Sequence, residues 1–151
     1  MPQSLSQIYV HVAFSTKDRR PFLRDKNYRE QLHAYLAGGC KNQECPPLIV
    51  GGFEDHVHVL CRLSRNLSVA DLVRELKRGS SKWAKDLSPQ LGGFGWQRGY
   101  GAFSVSPSHV AALRKYIGNQ EEHHRRESFQ EEFRRICGKY GIEIDERYVW
   151  D

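Results

Sequence analysis

The sequence predicts an α+β fold: an antiparallel sheet in the order βαββαβ, with helices on one face and a C-terminal helix added. Three observations predict it. Short β-branched and aromatic runs with a period of two read as strands, the clearest being Ile8-Tyr9-Val10-His11-Val12-Ala13-Phe14. Two longer stretches space apolar residues three and four apart, as amphipathic helices do. In order they give strand, helix, strand, strand, helix, strand and a further helix. This is the ferredoxin-like pattern, also used by RRM-like domains, in which helices cover one sheet face and leave the other free. The 151 residues suffice for one domain with a real core, and no repeat or linker divides residues 1–151.

The first strand covers residues 8–16. His11 falls in its middle and reads as a structural or DNA-facing residue, since no local partner marks it as a ligand. A basic turn follows, where Arg19 and Arg20 suit either phosphate contact or a solvated loop. A helix is expected over 25–37, with Leu32, Tyr35 and Leu36 inward and Gly38-Gly39 as its stop. A second strand covers 46–50, and Gly51-Gly52 turns the chain into a third that ends near residue 63. Ser68 caps a helix over 69–86 with an apolar stripe of Leu72, Val73, Leu76, Trp83 and Leu87. Arg74, Lys77, Arg78 and Lys82 lie largely outside that stripe. Such a face is most often simply solvated, but its spacing over three turns also suits a nucleic-acid backbone. A Gly/Pro loop over 88–95 leads to a strand over 96–106, interrupted at Gly99 and Gly101. Pro107 then opens a helix over 108–124, and a short helix over 129–137 and a tail close the chain.

Composition narrows the function classes. Apolar residues make up 39% and charged residues 27%, as in soluble globular proteins, and no apolar run approaches a membrane span. The N-terminus lacks the basic start and apolar core of a signal peptide. Cys40, Cys45, Cys61 and Cys137 have no zinc-type spacing and nothing demands a disulfide. A cytoplasmic protein with reduced thiols, Cys61 among the buried ones, is expected. A net charge of +5 and a pI near 9.1 favour a polyanionic partner.

The third strand carries Asp55-His56-Val57-His58-Val59-Leu60. Alternate residues of a strand share a face, so His56 and His58 stand side by side and Val57, Val59 and Cys61 face the core. Two imidazoles on a stiff strand are half of a metal site; alone, such a pair is more often two partly exposed histidines with no ligand. Tyr116 and Gln120 are four apart on a helix and share its face. The Gln120 carbonyl can complete the set begun by His56 and His58. Two nitrogens and one oxygen suit a divalent ion such as Mn²⁺, with Mg²⁺ as the alternative, better than Zn²⁺. The phenol of Tyr116 beside that ion is a candidate nucleophile; on spacing alone it is an ordinary aromatic on an amphipathic helix. His123 and His124 read first as solvated helix-end histidines that the helix dipole favours, and otherwise as a base or a phosphate contact near the face of Tyr116.

Together these stretches resemble the single-tyrosine transposases of the HUH superfamily. The segments that carry the likeness are Asp55–Leu60, Leu76-Lys77-Arg78-Gly79-Ser80-Ser81-Lys82-Trp83, Tyr116-Ile117-Gly118-Asn119-Gln120-Glu121-Glu122-His123-His124 and Phe129-Gln130-Glu131-Glu132-Phe133. The likeness covers nearly the whole chain. It implies that His56, His58 and Gln120 hold the metal and Tyr116 is the nucleophile. It implies cleavage and rejoining of single-stranded DNA through a 5′-phosphotyrosine, recognition of hairpins at element ends, and a homodimer. The family's arrangement further implies composite sites, with Tyr116 and Gln120 reaching His56 and His58 of the partner chain. Three other readings stand beside it. One is a domesticated enzyme that processes scattered palindromes. Another is a metal-dependent phosphodiesterase that uses water. The last is a non-catalytic nucleic-acid-binding module, although the aromatic-rich basic signature of RNA-recognition domains is missing.

Overall fold

The computed structural model describes residues 2–151. Four strands form one antiparallel sheet: β1 (Tyr9–Ser15), β2 (Pro47–Gly52), β3 (His56–Arg62) and β4 (Gly101–Val105), in the spatial order β2-β3-β1-β4. With α1 (Lys26–Asn42) between β1 and β2, and α2 (Val69–Leu87) between β3 and β4, this is the expected βαββαβ order. Val10, Val12 and Phe14 of β1 and Val57, Val59 and Cys61 of β3 turn to one face. They pack there with Leu32, Leu36 and Cys40 of α1 and Leu72, Val73 and Leu76 of α2. Asp25 caps α1 by accepting the amides of Asn27 and Tyr28, and Ser68 caps α2 by accepting that of Asp71.

The opposite face is not free. α3 (Val110–Gly118), α4 (Gln120–His123) and α5 (Phe129–Lys139) of the same chain lie across it. Ile117 and Leu113 pack on Leu60 and Val105, and Phe129, Phe133 and Ile136 pack with Ala13 and Phe103. The C-terminal helices thus do for this face what α1 and α2 do for the other. His56 and His58 are consequently buried, with no side-chain exposure.

Several boundaries differ from the sequence reading for local reasons. α1 runs through Gly38-Gly39, because a Cβ at Gly39 would lie 2.9 Å from Leu76 Cδ2. Gly39 is a close-packing residue against α2, and the helix ends instead before Glu44, at φ 59°. Gly51 belongs to β2 rather than to the turn. A Cβ there would sit 2.5 Å from the Ile117 carbonyl oxygen, so only glycine lets α3 settle this close to the sheet. The last strand shortens to Gly101–Val105, and Trp96 makes only an isolated bridge with Thr16. The single helix expected over 108–124 is broken at Asn119 (φ −102°, ψ 20°) into α3 and α4. Gly118 and Asn119 are both weak helix formers. Among the described residues, no helix is long and apolar enough to cross a membrane.

Candidate active site

β3 sets the first two side chains. His58 lies opposite Ala13 and His56 opposite Ser15, so their small partners on β1 leave the imidazoles room above the sheet. Asp55 accepts from His56 Nδ1 at 2.8 Å, which commits that nitrogen as the protonated one. His56 Nε2 then faces Gln120 Oε1 at 2.9 Å. The amide of Gln120 cannot be turned round, since its Nε2 donates to Glu132 Oε2 at 2.9 Å. Glu132, from α5, is completely buried and sits at the centre. Its Oε1 is 2.8 Å from His58 Nε2 and 3.6 Å from His56 Nε2. Its Oε2 accepts the hydroxyl of Tyr116.

Tyr116 and Gln120 thus meet His56 and His58 around one carboxylate, although a helix break lies between the two. The tyrosine arrives in cis. Its ring is 6.2 Å from that of His58 of its own chain. The tight seat of Ile117 on Gly51 explains this, by holding α3 to its own sheet.

Charge is distributed unevenly around Glu132. Burial alone would push its carboxyl up, but the imidazoles of His58 and His124 outweigh burial and hold it below the ordinary carboxylate range. Burial lowers the pKa of His58, and the pull of Glu132 does not reverse that. His124 goes the other way. Burial opposes its charge, but Glu132 and the Glu127 carbonyl outweigh it and raise its pKa. His124 Nε2 is 3.1 Å from Glu132 Oε1 but badly angled for a hydrogen bond. On Tyr116, burial and the Glu132 charge raise the pKa, against the opposing effect of Arg135, so the phenol is protonated. Arg135 Nη2 donates to the phenol oxygen at 2.9 Å and to Glu127 at 3.0 Å.

These residues fit a divalent cation. One donor atom from each of His56, His58, His124 and Glu132 lies within 4.8 Å of the others. His56 Nε2 points at an oxygen that cannot donate to it, and the buried His124 Nε2 has no hydrogen-bond partner. Lone pairs converging on one point are what a cation completes.

Sequence reasoning missed Glu132 and misplaced His124. The signal for Glu132 was present: Phe129, Glu132, Phe133 and Ile136 are the buried stripe of α5, so the carboxylate occupies an inward position of an amphipathic helix. His124 is not a solvated helix end, because Phe53 stacks on it and His56 meets it edge-on. His11 is structural, as one of its two readings had it, and nearly fully buried. Burial and the neighbouring His58 bring its pKa down to about 3.

The basic residues are elsewhere. Arg74, Lys77, Arg78 and Lys82 belong to α2, on the sheet face away from the histidines. Arg74 pairs with Asp71 at 2.8 Å and Arg78 with Glu75 at 2.9 Å. Lys82 is exposed, as is Arg20. Arg19 reaches the Trp150 carbonyl at 3.4 Å. Lys77 is not a free phosphate contact: its Nζ donates to the carbonyls of Gln97, Arg98 and Gly99 at 2.6, 3.1 and 3.0 Å. Burial lowers its pKa to about 8, which leaves it charged at neutral pH. Lys77→Met should therefore destabilise the fold by about 1.5–3 kcal/mol, the loss of hydrogen bonds to a charged group. Urea unfolding measures this, and an unchanged midpoint would contradict the strapping role.

The family model described as "Transposase IS200 like" matches residues 4–120, which include His56, His58, Tyr116 and Gln120. The match stops short of α5 and Glu132. No curated protein matches the chain. Among solved structures, an assigned transposase of Deinococcus radiodurans R1 aligns at a TM-score of 0.62 and 23% identity, over 80% of this chain and 96% of that one. A REP-associated tyrosine transposase bound to a REP hairpin aligns at a TM-score of 0.60 and 14% identity, over 82% of this chain and 72% of the other. At these identities the two structures speak to the fold, and the matched model speaks to descent: the chain belongs to the family of IS200-like transposases.

Proposed function

We propose that this transposase cleaves and rejoins single-stranded DNA with Tyr116 as its nucleophile. The observation that carries the reading is the convergence of Tyr116, His56, His58 and Gln120 on the buried Glu132. Tyr116 Oη attacks the phosphorus of a phosphodiester. A tyrosyl O–P bond forms and the bond to the 3′ oxygen breaks, giving a 5′-phosphotyrosine and a free 3′-OH. The phenol proton passes to Glu132, to which it already donates, and Arg135 continues to donate to the tyrosyl oxygen. The departing 3′ oxygen takes a proton from solvent. The 3′-OH of another cleaved strand then attacks the phosphotyrosine, restores a phosphodiester and releases the phenol. One such bond forms for each one broken, so no energy source is consumed.

His56, His58 and Gln120 would hold a divalent ion, Mg²⁺ or Mn²⁺, with Glu132 and His124 against the same point. When bound, the ion supplies Lewis-acid activation of the scissile phosphate. A cleft of about 510 Å³ lined by Lys115, Asn119, Glu122 and His123 lies against Tyr116. Hairpin recognition is the reading for the substrate's folded part, supported by the similar protein bound to a REP hairpin and by the net charge of +5. The same likeness favours, as a second reading, a domesticated enzyme that processes palindromes by this chemistry.

The site is read as one that a single chain can complete, against the composite site of a homodimer that the family likeness implies. The test is complementation between His56→Ala and Tyr116→Phe, co-expressed and supplied with a hairpin-bearing single strand. Wild type should form a denaturant-stable protein–DNA adduct and the mixture none, since every cis site carries a lesion. Adduct from the mixture would establish a tyrosine acting in trans.

A further inference from the structure

Each metal-facing histidine has its second ring nitrogen held, but by partners of different chemistry. Asp55 holds His56 Nδ1, and a carboxylate can only accept. His58 Nδ1 lies 2.7 Å from Nε2 of His11, on the neighbouring strand β1. The two rings stack with centroids 5.0 Å apart, and Phe103 packs on His11 at 5.7 Å. His11 is 3% exposed, so water does not compete for this contact.

We propose that His11 is the positioning residue for His58, turning its Nε2 to the metal and adapting to whichever tautomer His58 needs. The inference rests on the metal reading above. Without an ion, His58 Nε2–H donates to Glu132 at 2.8 Å, so Nδ1 is an acceptor and His11 Nε2–H donates to it. When Nε2 becomes a ligand, the ring's proton sits on Nδ1, and His11 Nε2 accepts it. An imidazole serves both states with one atom in one place, because either nitrogen can carry its proton. A carboxylate could serve only the second state, and an ammonium only the first. Partners that orient a ligating histidine in this way contribute strongly to metal affinity.

Two variants separate orientation from packing. His11→Phe keeps a ring against Phe103 and removes the nitrogen. His11→Gln puts an amide near Nε2, able to donate or accept by turning. Calorimetric titration of the full chain with Mn²⁺ reads the outcome without any DNA chemistry. His11→Phe should bind Mn²⁺ about 10–100-fold more weakly than wild type, and His11→Gln should recover most of the loss. If His11→Phe binds as tightly as wild type, or if Gln rescues nothing, the role assigned to His11 is overturned while the metal site stands. If wild type itself takes up no Mn²⁺, the metal reading falls and the role of His11 toward it falls too.

Discussion

Tyr116→Phe is expected to abolish strand cleavage, a loss of about 10⁶-fold where a covalent nucleophile is removed, with DNA affinity unchanged. The ring stays, so its packing against the cluster of Leu60, Val105, Leu113 and Ile117 survives. What goes is one oxygen, which donates to Glu132 and accepts from Arg135. Glu132 Oε2 still receives Gln120 Nε2, and Arg135 still has Glu127, so neither partner is orphaned. The structural cost should stay near about 1 kcal/mol, one net hydrogen bond. A gel assay on a hairpin-bearing single strand checks both halves: bound complex retained, cleaved product absent. Residual cleavage by the purified variant would remove Tyr116 from its role.

The second large effect belongs to Glu132. Glu132→Ala should lower stability by about 3–5 kcal/mol, the cost of breaking a buried ionic cluster from one side. For a chain of this size that is a fall in Tm of roughly 6–20 °C. The magnitude follows from what is stranded: His58 and Gln120 lose their partner in the interior, and His124 loses the carboxylate beside it. The acid limb should change as well. A carboxyl held below its unfolded value, about 4.3, stabilises the fold above that pH and loses the contribution as pH falls through the folded value. Glu132→Ala should therefore flatten the acid limb. Melting curves followed by circular dichroism between pH 3 and 7 would show it, and a Tm equal to wild type would mean that the cluster is not structural.

Much of this was legible in the sequence, where one element's own periodicity decided the matter. The two-residue period of β3 put His56 and His58 together and Val57 and Val59 on the other face. Four-residue spacing brought Tyr116 and Gln120 to one place, and a break at Asn119 did not separate them. The illegible parts depend on tertiary packing. A sheet face that its own helices leave open is covered when a later helix has an apolar stripe, and the stripe of α5 was short. Glu132 lay hidden in it because a carboxylate among phenylalanines looks like an interruption until the imidazoles that balance it are in view. His11 required register: only the pairing of β1 with β3 brings its ring to His58, 47 residues away. Lys77 looked like a phosphate contact because the carbonyls that satisfy it belong to a loop about twenty residues later.

The most direct test is the identity of the residue that becomes joined to DNA. Wild-type protein captured on a single-stranded substrate with Mn²⁺ should be digested with nuclease and protease and its peptides measured by mass spectrometry. A 5′-linked nucleotide on the peptide containing Tyr116, absent when the ion is chelated, is the expected result. A nucleotide on any other residue, or cleavage to completion with no peptide modified, would contradict the account.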